Sequence, residues 1–104
     1  MTAATQRRRA LEKANEVRSS RAALKRRIAA GEISIEAVLA DDDREISKVA
    51  RSMAIEDLIG AVPGVGRSGV DAICEAFDLP RGAQLYGTTK QLRAEIADAI
   101  AALR

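Results

Sequence analysis

Histidine and tryptophan are missing from this chain, and cysteine, phenylalanine and tyrosine occur once each. Each shortage closes off a class of function. Without histidine, proton transfer near neutral pH loses its most frequent carrier. The carboxylates that could replace it are scattered, apart from one run at Asp41–Asp43. That run reads as a solvated turn and helix start, because acidic side chains suit helix N-termini. A single cysteine makes no intramolecular disulfide and, with no histidine, leaves little to hold a metal. Cys74 reads as a small apolar residue on a core face, with a reactive thiol as the alternative. No apolar run nears the roughly 20 residues of a membrane span. The opening "MTAATQRRRAL" has a basic cluster and no apolar h-region, unlike a signal peptide. The expectation is a protein that is not an enzyme, with no catalytic residue, cofactor or metal, and no membrane partner.

What is present points to helices. Ala, Leu, Ile, Arg and Glu dominate, which favours packed helices over a sheet. At 104 residues the chain reads as one domain with one modest core. Its net charge of +2 hides an asymmetry. Residues 1–30 carry +7, residues 31–61 carry −5, and residues 62–104 balance. A strongly basic first third suggests a polyanionic partner.

Residues from about 5 to 30 read as one long helix, with Ala10, Ala14, Val17, Leu24 and Ile28 on one side and Gly31 as its stop. Arg7, Arg18, Arg21 and Lys25 line up beside that stripe within an arc of roughly 60°. They read as a binding ridge, or as basic stems lying along the core edge. Ser34 fits an N-cap, with Ile33 and Val38 as a hydrophobic staple. Residues from about 43 to 50 form a short helix with Ile46 and Val49 inward. Ile55, Leu58, Ile59 and Val62 follow at helical spacing, and Val70, Ile73, Cys74 and Phe77 repeat it beyond a corner. The last helix is expected from about Thr89 to Leu103. Thr88 and Gln91 form a capping box there, and Leu92, Ile96, Ile100 and Leu103 a buried stripe.

The corner itself, "VPGVGRSG", concentrates helix breakers between two helices. Pro63 ends the first. Gly64 and Gly66 free the backbone to take unusual dihedrals or to approach a surface. Val65 packs inward between them. The next helix starts near Gly66 or Arg67, and its first amides lack intrahelical partners. With Arg67 and Ser68 beside them, those amides suit one phosphate. A second glycine loop offers Arg81, Gln84, Tyr86, Gly87, Thr88 and Lys90 before the last helix, and Arg93 is grouped with them. Two helix N-termini approaching one duplex would hold phosphates on both sides of a groove. The alternative is two ordinary loops closed for structural reasons. Neither loop matches G-x-x-x-x-G-K-[ST], and the corner follows no strand, so nucleotide-binding folds are not indicated.

These stretches resemble the actinobacterial integration host factors, small nucleoid-associated DNA-binding proteins. "ALEKANEVRSSRAALKRRIAAG" is similar to that family's N-terminal helix, including Arg18, Arg21 and Lys25. "MAIEDLIGAVPGVGRSGVDAICEAFDL" is similar to its central segment, with Arg67 where the family has Lys. The resemblance implies an all-α fold. A lid helix over residues 1–31 would sit on a helix–two-turn–helix body over 32–104. It also implies binding and bending of double-stranded DNA with little sequence preference, in the cytoplasm on the nucleoid, with roles in compaction and site-specific recombination. The second loop departs from the family pattern. "AQLYGTT" stands where the family reads like "RRLRGLG", so Ala83, Gln84 and Tyr86 replace arginines. Weaker phosphate contact is expected there, with Tyr86 either resting against a sugar or covering the core. A monomer is expected, a dimer being the alternative. RNA binding and a protein-interaction module built on Asp41–Glu45 are the competing readings.

Overall fold

A computed structural model describes residues 2–104 as an all-α protein. Helix α1 spans Ala3–Ala29, α2 Ile35–Ala40, α3 Arg44–Ala50, α4 Ile55–Gly60, α5 Gly66–Ala76 and α6 Lys90–Leu103. A short 3₁₀ turn, Leu85–Gly87, precedes α6. No strand forms among the described residues; one antiparallel bridge joins Ala54 to Gln84. The expected long N-terminal helix on a helical body is what the structure shows.

Local chemistry sets most helix starts. Thr2, Ser34, Asp43 and Thr89 each accept a first-turn amide and cap α1, α2, α3 and α6. The start of α4 has no side-chain cap, but the carbonyl of Ala83 takes the Ile55 amide at 2.8 Å. Gly31 follows α1 as expected, in a Schellman arrangement. The Glu32 amide reaches Arg27 O at 2.9 Å and the Gly31 amide reaches Ile28 O at 3.1 Å. The cap of α6 corrects the sequence reading. It is Thr89, not Thr88, whose hydroxyl takes the Leu92 amide at 3.1 Å. The Thr88 hydroxyl instead donates to Leu85 O at 2.6 Å.

One core joins every helix. Leu24 and Ile28 of α1 belong to the same buried cluster as Ile35, Val38, Leu39, Leu58, Ile59, Ile73, Ile96 and Ile100. The segment expected as a lid is docked on the body through Leu24 and Ile28. Its apolar stripe is used only in part: Leu24 and Ile28 are buried, Ala14 and Val17 half-buried, and Ala10 exposed. Residues 2–13 are exposed throughout. Against α1 packs α3; α2 packs on α6, and α5 lies between α4 and α6. Leu103, expected in the last helix's buried stripe, is 46% exposed.

Candidate nucleic-acid interface

The corner between α4 and α5 is built by backbone geometry. Gly64 and Gly66 have φ of 87° and 66°, in the region that L side chains rarely adopt. Between them Val65 is buried and anchors the turn, as expected. Its side chain is therefore unavailable to a ligand, and only its backbone lies at the corner. The helix before the corner stops at Gly60, and the chain turns through Ala61 and Val62 before Pro63. Helix α5 then begins with no side-chain cap. No acceptor among the described residues meets the amides of Gly66, Arg67 or Ser68. Gly64, Gly66, Arg67 and Ser68 are all exposed. Free N–H groups at the positive end of a helix dipole favour an anion, and Arg67 adds a full charge.

The second loop is differently disposed. Its front, at Arg81, shares a surface groove with Gly66 and Arg67. Its remainder is stitched to the α3–α4 linker: the Leu85 amide donates to Met53 O at 3.2 Å and the Tyr86 amide to Arg51 O at 3.1 Å. Several expected donors are spent inside the protein. Gln84 Nε2 donates to Ser52 O at 3.1 Å. The Thr88 side chain is half-buried, with its hydroxyl on Leu85 O. Arg93 is a strut. Its Nε donates to Leu39 O at 2.8 Å and a terminal nitrogen donates to Thr88 O at 2.8 Å, tying α6 to α2 and to the loop. Gly87 is exposed. Tyr86 is 68% exposed, so it does not cover the core. Lys90 is exposed, in a hollow shared with Glu36, Asp42 and Asp98. The start of α6 is thus a closed terminus under its own cap, unlike that of α5.

The basic ridge of α1 divides in the same way. Arg7, Arg18 and Lys25 are exposed, and Arg18 donates to Asn15 Oδ1 at 3.1 Å. Arg21 is half-buried and holds the helix to the body by donating to Ser52 Oγ at 2.9 Å. Its Nε is buried, with no hydrogen-bond partner among the described residues. Ser52, which the sequence reading passed over, therefore joins α1 to the second loop by receiving both Arg21 and Gln84.

Carboxylates near the corner were also missed. Glu56, Asp57 and Asp71 line the groove that holds Arg67 and Arg81, while Glu56 and Asp57 also border a hollow with Lys25 and Arg26. Helical spacing carried the signal, since Asp71 lies one turn beyond Arg67. Cys74 is half-exposed in this groove, not on a core face. Burial, then Glu56 and Asp71, push its thiol pKa up, which keeps it protonated and a poor nucleophile. The acidic run is a turn and helix start as expected: Asp42 and Asp43 are exposed and Asp43 caps α3, while Asp41 is half-buried and paired. Asp41 Oδ1 accepts Arg51 Nε at 3.0 Å, and its side chain is only 15% exposed. The Ser47 hydroxyl and then the Arg51 guanidinium hold its carboxyl below the usual range.

No charged cluster among the described residues has the make-up of a metal site, and no helix is long and apolar enough to cross a membrane. Comparison of the chain with protein-family models, curated proteins and solved structures finds no match.

Proposed function

We propose that the protein binds the phosphate backbone of double-stranded DNA with little sequence preference, as a nucleoid-associated protein that bends and compacts its substrate. The observation that carries this reading is the α5 terminus. It is an uncapped helix start, opened by two left-handed glycines and flanked by exposed Arg67 and Ser68, with Arg81 across the groove. Such a site takes phosphate and reads no base. The exposed cations of α1 extend the positive surface. The resemblance of "PGVGRSG" and the basic helix to the actinobacterial integration host factors supports the same reading. Bending rests on that resemblance alone. Glu56, Asp57 and Asp71 line the same groove and repel phosphate from it, so the contact is confined to the exposed backbone at Gly66–Ser68 and to Arg67.

Binding of this kind is governed by counterion release. If about five phosphates are neutralised, the log–log slope of affinity against salt on random duplex DNA is roughly −4 to −5. Arg67→Ala weakens binding to all sequences alike and flattens the slope by about 1. A slope near zero, or a loss confined to particular base sequences, would refute the reading. Competition with structured RNA at one salt concentration separates duplex DNA from RNA as the preferred polyanion. A pull-down that survives nuclease treatment and high salt would favour the alternative of a protein contact at Asp41–Glu45, where Asp42 to Glu45 are exposed.

A further inference from the structure

The second loop carries no cation between Arg81 and Lys90, yet the surface beside it does. Helices α1 and α3 are packed together and leave a hollow of about 410 Å³ between them. On α1, Lys13, Glu16, Val17, Ser20 and Arg21 form one wall at i, i+3, i+4, i+7 and i+8. Lys48, Val49 and Ser52 form the other. The lining thus holds three cations, one carboxylate, two valines and two hydroxyls. Lys13, Lys48 and both serines stand at the surface, so they are reachable by an approaching anion, and their attraction for it falls with salt. Lys48 is paired with Glu45 at 3.6 Å, but both side chains are well exposed, so the pair is weak and easily exchanged. Among the described residues the Ser20 hydroxyl has no partner, and that of Ser52, which accepts from Arg21 at 2.9 Å, donates only to Val49 O at 3.5 Å. Both can turn to an incoming oxygen. Arg21 fixes the geometry through Ser52, whose carbonyl holds Gln84 of the loop.

We infer that this hollow is a phosphate-binding site, formed by Lys13, Ser20, Lys48 and Ser52 and positioned by Arg21. It rests on the duplex-binding reading for its source of phosphate. There it supplies the cations that the neighbouring loop lacks, holding the backbone at a second place besides the corner.

The test uses the full chain and the double variant Lys13→Gln, Lys48→Gln, whose two side chains lie at the surface. Affinity for a random duplex is measured across 50–200 mM salt. Amide chemical shifts of Ser20 and Ser52 are followed with that duplex and with inorganic phosphate. The expected result is a slope flatter by about 0.9 in the variant, for the one phosphate lost. Across that salt range the wild type then loses roughly three-fold more affinity than the variant. Both serine amides shift in the wild type and not in the variant. If Arg67→Ala weakens duplex binding while the double variant matches wild type in slope and shifts, the hollow is overturned and the corner stands. If the wild type binds no duplex but inorganic phosphate still shifts both serines, the hollow survives as a site for free phosphate and the DNA reading fails. If neither probe shifts them, the inference is wrong.

Discussion

A Cβ built on Gly69 would lie 2.7 Å from Val65 Cγ1 and 3.5 Å from Leu103 Cδ1. The first distance is shorter than packed carbon atoms tolerate. Val65 cannot yield easily, since it is buried and its branched side chain is stiff. Gly60 also lies in a helix, but a Cβ there would meet Val70 Cγ2 at an ordinary 3.7 Å. Helix propensity alone favours alanine by about 1 kcal/mol at Gly69, and by less at Gly60, the last residue of α4. Overpacking at Gly69 costs roughly 1–3 kcal/mol and reverses the sign. Gly69→Ala is therefore expected to lower stability by about 1 kcal/mol in urea unfolding, while Gly60→Ala is neutral or slightly stabilising. Because Val65 anchors the corner, Gly69→Ala also weakens duplex binding. Equal stabilisation by both alanines would contradict the packing account. Nothing in the sequence separates the two glycines, because each sits in an apolar-periodic stretch and only the three-dimensional neighbour differs.

At the scale of elements, the sequence was most legible where a rule is local. Ser34 caps α2, Gly31 follows α1, and Ile55, Leu58, Ile59 and Val62 are buried together, all from short-range patterns. It was least legible where a tertiary partner decides. Thr88 and Thr89 are adjacent, and the capping-box rule favours Thr88 because Gln91 follows three residues later. Arg93 and Leu85 settle the matter by occupying the carbonyl and hydroxyl of Thr88. The same long-range bonds explain why Arg93 and Gln84 read as ligand donors in the sequence. A lone arginine near a helix start looks identical whether it faces phosphate or the carbonyl of a residue 54 positions away. Arg93→Ala removes hydrogen bonds from a charged donor and leaves Leu39 O without its Arg93 partner. A loss of about 2 kcal/mol is expected in urea unfolding. The salt slope of duplex binding should stay at the wild-type value. A flatter slope with unchanged stability would return Arg93 to the phosphate contacts.

The whole molecule is longer than its core requires. Its radius of gyration is 15.3 Å and its long dimension 53 Å, against 27 and 26 Å across. A compact chain of this size would have a radius near 13 Å. The excess comes from α1, whose residues 2–13 project with every side chain exposed, Leu11 at 60% included. A helical segment this short is marginal in water by itself, so it persists only as the continuation of the docked half. It adds cations to the surface and nothing to the core. Deleting residues 2–12 spares Lys13 and should leave the urea midpoint unchanged. The same deletion removes Arg7, Arg8 and Arg9 and should flatten the salt slope of duplex binding by about 2 if the segment meets two phosphates. Hydrogen exchange gives an independent measure: amides in the projecting turns exchange fast in the free protein and slow down on duplex. A truncated chain that loses stability but keeps its slope would show the segment to be structural, and the charge asymmetry of the first 30 residues would then need a different partner.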